Sequence, residues 1–250
     1  MGWFEAFGTS DIGKRVKNED SISLLPEYYF FAVADGMGGH RGGEVASKEA
    51  SFAIRRSIEE FLNPQNARHL NSQEIARHIK NAIMQAGNYL FLLGEKEQSL
   101  RGLGTTFSCV HLFGAKMTYA HLGDSRIYLQ RKDRLRQLTS DHTLISEITL
   151  PFQKIPLNYK KMITKALGCG LNVEPTLKQE PFYPEDILLL CSDGLSDSLA
   201  DSEIETILKE PHSAETAAKK LIETAKKKSG HDNISAIVIK ILAPHDLSGQ

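Results

Sequence analysis

Three stretches of the chain are apolar almost without interruption: YYFFAVA at 28–34, ILLLC at 187–191 and NISAIVIKIL at 233–242. Runs of this length and residue type predict buried strands. Two other segments repeat at helical spacing. Ala46, Ala50, Ile54 and Ile58 fall on one face of 44–62, and Ile75, Ile79, Ile83 and Leu90 on one face of 73–91. Asn71, with Glu74 three residues later, is a capping-box signal for the second helix. After Gly104 come short β-type segments at 105–113, 116–121, 126–130 and 135–139, separated by Phe113-Gly114 and Lys132-Asp133, so an antiparallel meander is expected. Helices are expected again at 202–208 and 214–227. Residues 143–165, which contain Pro151 and Pro156, lack a period and are expected to form a flap over a site. Residues 244–250 are expected to fray. Helices come in pairs between groups of strands, which favours α+β layers over a doubly wound sheet. No linker or repeat divides the chain, so 1–243 reads as a single domain with 244–250 as a C-terminal tail.

Composition narrows this picture. The chain has 250 residues, 41% of them hydrophobic, ample for a buried core and unlike a disordered or fibrous protein. A net charge of -1 creates no global field for nucleic acid or an anionic membrane, so an anionic substrate must be attracted locally. Three cysteines, Cys109, Cys169 and Cys191, without CxxC spacing, argue against a disulfide framework or a zinc knuckle and fit a reducing, cytoplasmic setting. The N-terminus lacks the basic and apolar regions of a signal peptide, and no apolar stretch has membrane-spanning length. The expectation is an unanchored, monomeric cytoplasmic protein.

The chemistry sits where apolar runs meet acids. Asp35 follows YYFFAVA, Asp193 follows ILLLCS and Asp232 precedes NISAIVIKIL, while Glu19 and Asp20 stand just before 21–25. Carboxylates forced toward a core are costly unless paired or bound to metal, so several at strand ends suggest a hard divalent cation. Without matching Cys or His ligands, Mg²⁺ or Mn²⁺ is favoured over zinc. Each acid alone has a plainer reading: Asp35-Gly36 and Asp193-Gly194 as turns, Asp232-Asn233 as a cap or loop, Asn18-Glu19-Asp20 as a solvated loop. The glycine-rich run 36–43 fails as a dinucleotide loop, because Arg41 stands where GxGxxG requires its third glycine. That disfavours a nucleotide-binding oxidoreductase.

These residues resemble the metal-dependent type 2C (PPM) protein serine/threonine phosphatases, especially the compact bacterial members. The matching blocks occur in family order: RVKNED at 15–20, VADGMGGH at 33–40 running on to Gly43 and Glu44, and GTT at 104–106. HLGDSR at 121–126, LTSDH at 138–142, ITKALG at 163–168, LCSDG at 190–194 and GHDN at 230–233 complete the series. The resemblance implies a four-layer α-β-β-α sandwich, with two central, mainly antiparallel sheets flanked by helix pairs. It implies that Asp35 bridges two Mn²⁺ or Mg²⁺ ions, that Asp193 and Asp232 complete one ion, and that Glu19 and the Gly36 carbonyl serve the other. Asp20 would hold metal-bound water from the outer shell, Arg15 would grip the substrate phosphate, and Asp124 with Asp193 could hold a third ion. The implied reaction is hydrolysis of phosphoserine and phosphothreonine by a metal-bridging hydroxide, with Arg15, Asp35 and Asp193 central to it. Its substrates would be phosphorylated proteins, including a bacterial Ser/Thr kinase. Met37 stands where eukaryotic relatives place a histidine proposed as general acid, which leaves metal-bound water or, as the weaker candidate, His40. His121, His142 and His231 read as scaffold and Cys191 as core. The alternative from another class is a catalytically silent module that keeps the fold to bind phosphoproteins; its expected signature, loss of the metal acids, is not seen.

Overall fold

The computed structural model describes residues 3–38, 42–63, 66, 70–147, 162–210 and 212–242. His40, most of the 143–165 segment and the 244–250 tail lie outside the described residues. Two antiparallel sheets form the centre. In the first, β1 (Phe4–Asp11) lies beside β11 (Ile234–Ile241), followed by β10 (Ile187–Cys191), β7 (Arg126–Arg131) and β8 (Arg134–Gln137). The second runs β2 (Asp20–Leu25), β3 (Phe30–Met37), β5 (Phe107–Phe113), β6 (Lys116–Leu122) and β9 (Thr176–Pro181), with the two-residue β4 (Gly104–Thr105) paired to the end of β3.

Alternation within the strands directs side chains to both sheet faces. Phe31 and Val33 of β3 meet Ile127, Leu129, Leu188, Leu190, Ile237 and Ile239 in a core between the sheets. Their neighbours Phe30, Ala32 and Ala34 turn the other way and pack under α1 (Gly42–Phe61) and α2 (Ser72–Lys96), against Ala46, Ala50, Ile54, Ile75, Ile79 and Ile83. On the far side, Leu189, Cys191, Ala236 and Val238 are covered by α5 (Asp201–Lys209) and α6 (Ala214–Lys228) through Ile204, Leu208 and Leu221. Two short helices, α3 (Leu144–Glu147) and α4 (Asp193–Ser196), complete the described elements. The layering is therefore α-β-β-α, as expected. Burial of each Leu, Ile or Phe is worth about 1.5–3 kcal/mol, and the run-like strands are those sandwiched between two cores.

The capping box at α2 forms as its sequence requires. Asn71 Oδ1 accepts from the backbone N–H of Gln73 at 2.9 Å and of Glu74 at 3.0 Å, and Glu74 Oε2 accepts from Asn71 N at 2.9 Å. Two strands carried no pattern that announced them. β1 is half-buried along most of its length and interrupted by Gly8, and β9 is a partly exposed edge strand with the polar sequence TLKQEP. The expected single meander is instead split, β5 and β6 pairing in one sheet and β7 and β8 in the other, and β8 is shorter than its pattern because Thr139 leaves the ladder and its Oγ1 accepts from Ile127 N at 3.2 Å.

Candidate metal centre

The ends of strands from both sheets meet at one edge of the sandwich. Asp20 opens β2 opposite Asp35 of β3 in register. Asp193 opens α4 directly after β10, and Asp232 precedes β11, the antiparallel neighbour of β10. Asp124 sits in the β6–β7 turn. Arg15, Glu19, Asp35, Gly36, Asp124, Asp193 and Asp232 all line one cleft of about 280 Å³. Asp20 lies behind it and is not part of the lining. The sequence-derived set is thus brought together, with Met37, Gly38, Thr106, Ile163 and Asn233 added.

Backbone and hydroxyl contacts fix the acids. Thr106 N donates to Asp35 O at 2.8 Å, and Asp35 N donates to Thr106 Oγ1 at 2.9 Å. Thr106 Oγ1 is also 2.7 Å from Ser125 Oγ, which ties Asp35 to the turn that carries Asp124. Gly36 N donates to Glu19 O at 3.1 Å, and a Cβ on Gly36 would lie 2.0 Å from Gly43 O. Only glycine allows that approach, which turns the chain sharply between Asp35 and α1. Asp20 Oδ2 accepts from Ser192 at 2.8 Å and Ser235 at 2.6 Å, whereas its Oδ1 is buried without a hydrogen-bond partner.

Electrostatically the cluster lacks counter-charge. Burial, then the charges of Asp20, Asp193 and Asp124, push the Asp35 carboxyl well above the ordinary range, and Asp35 and Asp193 hydrogen-bond to each other. Burial first and Asp193 second push Asp124 up to about 7. Asp20 rises to about 6, again through burial, against the lowering effect of its two serine donors. Carboxyls that hold protons because they are buried, and buried beside other acids, are suited to replacing those protons with a cation. Mg²⁺ and Mn²⁺ keep several waters and need few direct carboxylates, which suits Asp35 and Asp124 at the cleft and the unpartnered Asp20 Oδ1 behind it. The residues present therefore fit a hydrated divalent centre.

Arg15 is the sole cationic side chain among the described residues lining the cleft. Its Nη2 contacts Asp232 Oδ2 at 2.7 Å and its Nε donates to His231 O at 3.3 Å. Both partners of the pair are solvated, at 54% and 38% side-chain exposure, so it is weak and exchangeable. The scaffold histidines also find their places: His121 and His142 stack with ring centroids 4.3 Å apart, Nε2 of His121 donates to Ser140 O at 2.8 Å, and Gly123 N donates to Nδ1 of His142 at 3.2 Å. They brace the turn that carries Asp124. Cys191 is fully buried in core, as expected.

Sequence reasoning assigned no role to Asn233. Its Oδ1 accepts from Glu19 N at 2.8 Å, and its Nδ2 donates to Ile12 O at 2.9 Å and Lys17 O at 2.8 Å. One amide thus fastens the loop bearing Arg15 and Glu19 to the residue beside Asp232. The signal available was its place at the end of the GHDN block, a polar side chain entering a largely apolar strand.

Fold and site together define a layered α+β protein with a cation-accepting acidic cleft. The protein phosphatase 2C family matches residues 7–237 of the chain. The serine/threonine phosphatase stp of Listeria welshimeri is 35% identical over 235 residues, which cover 92% of this chain and 89% of that protein. The solved serine/threonine phosphatase of S. agalactiae superposes with a TM-score of 0.85 at 29% identity, over 96% of this chain and 100% of the other. The catalytic domain of the serine/threonine protein phosphatase PstP, solved in complex with two manganese ions, gives a TM-score of 0.82 at 32% identity, over 97% and 100%. The chain belongs to the protein phosphatase 2C family.

Proposed function

We propose that the protein is a Mn²⁺- or Mg²⁺-dependent serine/threonine protein phosphatase that acts, as one domain over residues 1–243, on phosphorylated proteins. The observation that carries this reading is the set of acids whose burial and mutual repulsion hold protons, gathered in one cleft with Arg15 at its mouth. Asp35 would hold both ions, Asp193 and Asp232 one of them, Glu19 and the Gly36 carbonyl the other, and Asp124 a third, a reading supported by their shared lining of the cleft. When bound, the ions make hydroxide available near neutral pH and polarise the phosphoryl group. Asp20, anchored by Ser192 and Ser235, keeps its free Oδ1 for a water of the centre. Arg15 exchanges its exposed contact with Asp232 for two phosphate oxygens and presents its planar fork to the charge that builds there. Met37 lines the cleft and has no proton to give, so the leaving serine or threonine oxygen takes its proton from water.

We read its substrates as phosphorylated proteins, a class supported by the names of its relatives, and among them a Ser/Thr kinase that the enzyme opposes. A reducing, cytoplasmic setting fits the free Cys109, Cys169 and Cys191, and we read the enzyme as a monomer. No helix among the described residues is long and apolar enough to cross a membrane.

The test is phosphate release from a phosphothreonine peptide, with Mn²⁺ and with chelator. Release should require the metal, and Asp193→Asn should lower kcat by a factor on the order of 10²–10³, the scale of losing a main electrostatic contributor. Absence of metal-dependent release from the wild-type chain would refute the reading and leave a silent phosphoprotein-binding module.

A further inference from the structure

The chain is nearly neutral, yet basic residues crowd one side of the cleft. The loop between β1 and β2 presents Lys14, Arg15 and Lys17, all exposed. It runs against the turn that follows α6. Lys14 N donates to Gly230 O at 2.7 Å, and Gly13, at φ +60, packs so tightly that a Cβ would lie 2.1 Å from Asp232 O. The last turn of α6, which leads into that turn, carries Lys226, Lys227 and Lys228, all exposed, and Lys226 Nζ reaches back 2.8 Å to Asp11 at the start of the loop.

Cations at the C-terminus of a helix have a structural reason to be there, because they offset its dipole. Two of the three are also matched, Lys226 to Asp11 and Lys228 to Glu203 at 2.6 Å. Lys227 is not, and the dipole argument does not apply to Lys14 and Lys17, which lie on a loop. Among the described residues none of these three side chains makes an ion pair, although the chain contains 31 acidic residues that could have supplied one. Between Lys14 and Lys17, next to the phosphate-facing arginine, Val16 is 94% exposed. An unpaired basic strip around an exposed valine, adjoining the cleft, suits the segment that flanks a phosphorylated side chain.

We infer that Lys14, Lys17 and Lys227 form a docking strip for acidic side chains flanking the phosphorylated residue of a protein substrate. The inference rests on the phosphatase reading and adds a substrate preference to it. It also explains how a chain of net charge -1 attracts an anionic partner: the field is confined to the side of the cleft over which the substrate chain passes. Contacts of this exposed kind are individually weak and act mainly on encounter and KM.

The experiment compares kcat/KM for two phosphothreonine peptides, one with glutamates and one with alanines flanking the phosphoresidue, at low and high salt with Mn²⁺ present. Wild-type enzyme should prefer the acidic peptide by about fivefold at low salt, in KM rather than kcat. The preference should fade near 1 M salt, where the screening length is ~3 Å. The combined Lys14→Glu, Lys17→Glu, Lys227→Glu variant should reverse the preference. The corresponding triple glutamine variant should bring it to about one, and it guards against loss of folding in the charge reversal. Equal turnover of the two peptides by wild type, or a preference that survives both variants, overturns the docking strip and leaves the phosphatase reading intact. No turnover of either peptide by wild type overturns both.

Discussion

Asn233 shows how much of the site depends on a neutral side chain. It is 4% exposed and bonds to three backbone groups of the loop that carries Arg15 and Glu19. Asn233→Ala leaves the Glu19 N–H and the Ile12 and Lys17 carbonyls to find other partners. A buried amide removed in this way costs about 1–3 kcal/mol. The loss should fall on function as well as stability, because the freed loop holds one proposed metal ligand and the arginine proposed to grip phosphate. Calorimetric titration should show weaker Mn²⁺ binding in this variant, and steady-state kinetics a higher KM; unaltered values for both would show that the loop holds its place without the amide. Asp35, Asp193 and Asp232 were legible in sequence because a carboxylate beside an apolar run is an energetic contradiction that points to a ligand; Asp124 was found only through the family resemblance. Asn233 and Thr106 present no such contradiction. The GHDN and GTT blocks marked them, but not what they do: their partners lie far along the chain, 216 and 71 residues away for Lys17 and Asp35 respectively, and no local pattern names them.

At the level of elements, legibility followed burial. Strands sandwiched between two cores, such as β10 and β11, are continuous apolar runs, and the amphipathic helices α1 and α2 show a four-residue repeat. β1 and β9 escaped because their partners supply the order: β1 is held by an eight-residue register with β11, and β9 by pairing along β6. A propensity scale has nothing to detect where strand identity comes from a neighbour. The capping box of α2 is the opposite case, a local device read correctly from two residues. Asn71→Ala should therefore cost about 1 kcal/mol. For a chain of this size that corresponds to a fall in Tm of about 2–4 °C. Because Asn71 lines neither the cleft nor the basic strip, kcat/KM should not change. A thermal melt beside an activity assay separates the two, and a drop in kcat/KM would mean that α2 transmits strain to the site.

Across the whole molecule, two sets of titrating groups pull stability in opposite directions. Burial holds His111 and His121 down to about 4, against an ordinary 6.5. Their contribution is complete above pH 6.5 and is lost as pH falls toward 4, since the unfolded chain gains protons that the native one refuses. The acid cluster behaves in the reverse sense. Asp124, raised to about 7, and Asp20, raised to about 6, favour the native state of the metal-free protein at low pH, and that advantage disappears as pH rises through those values. The metal-free protein at neutral pH therefore carries an electrostatic penalty concentrated in its own active cleft. Cations bound there would displace the protons and remove the penalty, so binding must become tighter as pH rises and must release protons. The rise in Tm on adding saturating Mn²⁺ should accordingly be small near pH 5 and grow through pH 7 to 8. Titration calorimetry in buffers of different ionisation enthalpy should register proton release at pH 6 that is nearly gone at pH 8. A stabilisation by Mn²⁺ that does not vary with pH would mean that the carboxyls at this edge of the sandwich are not its ligands.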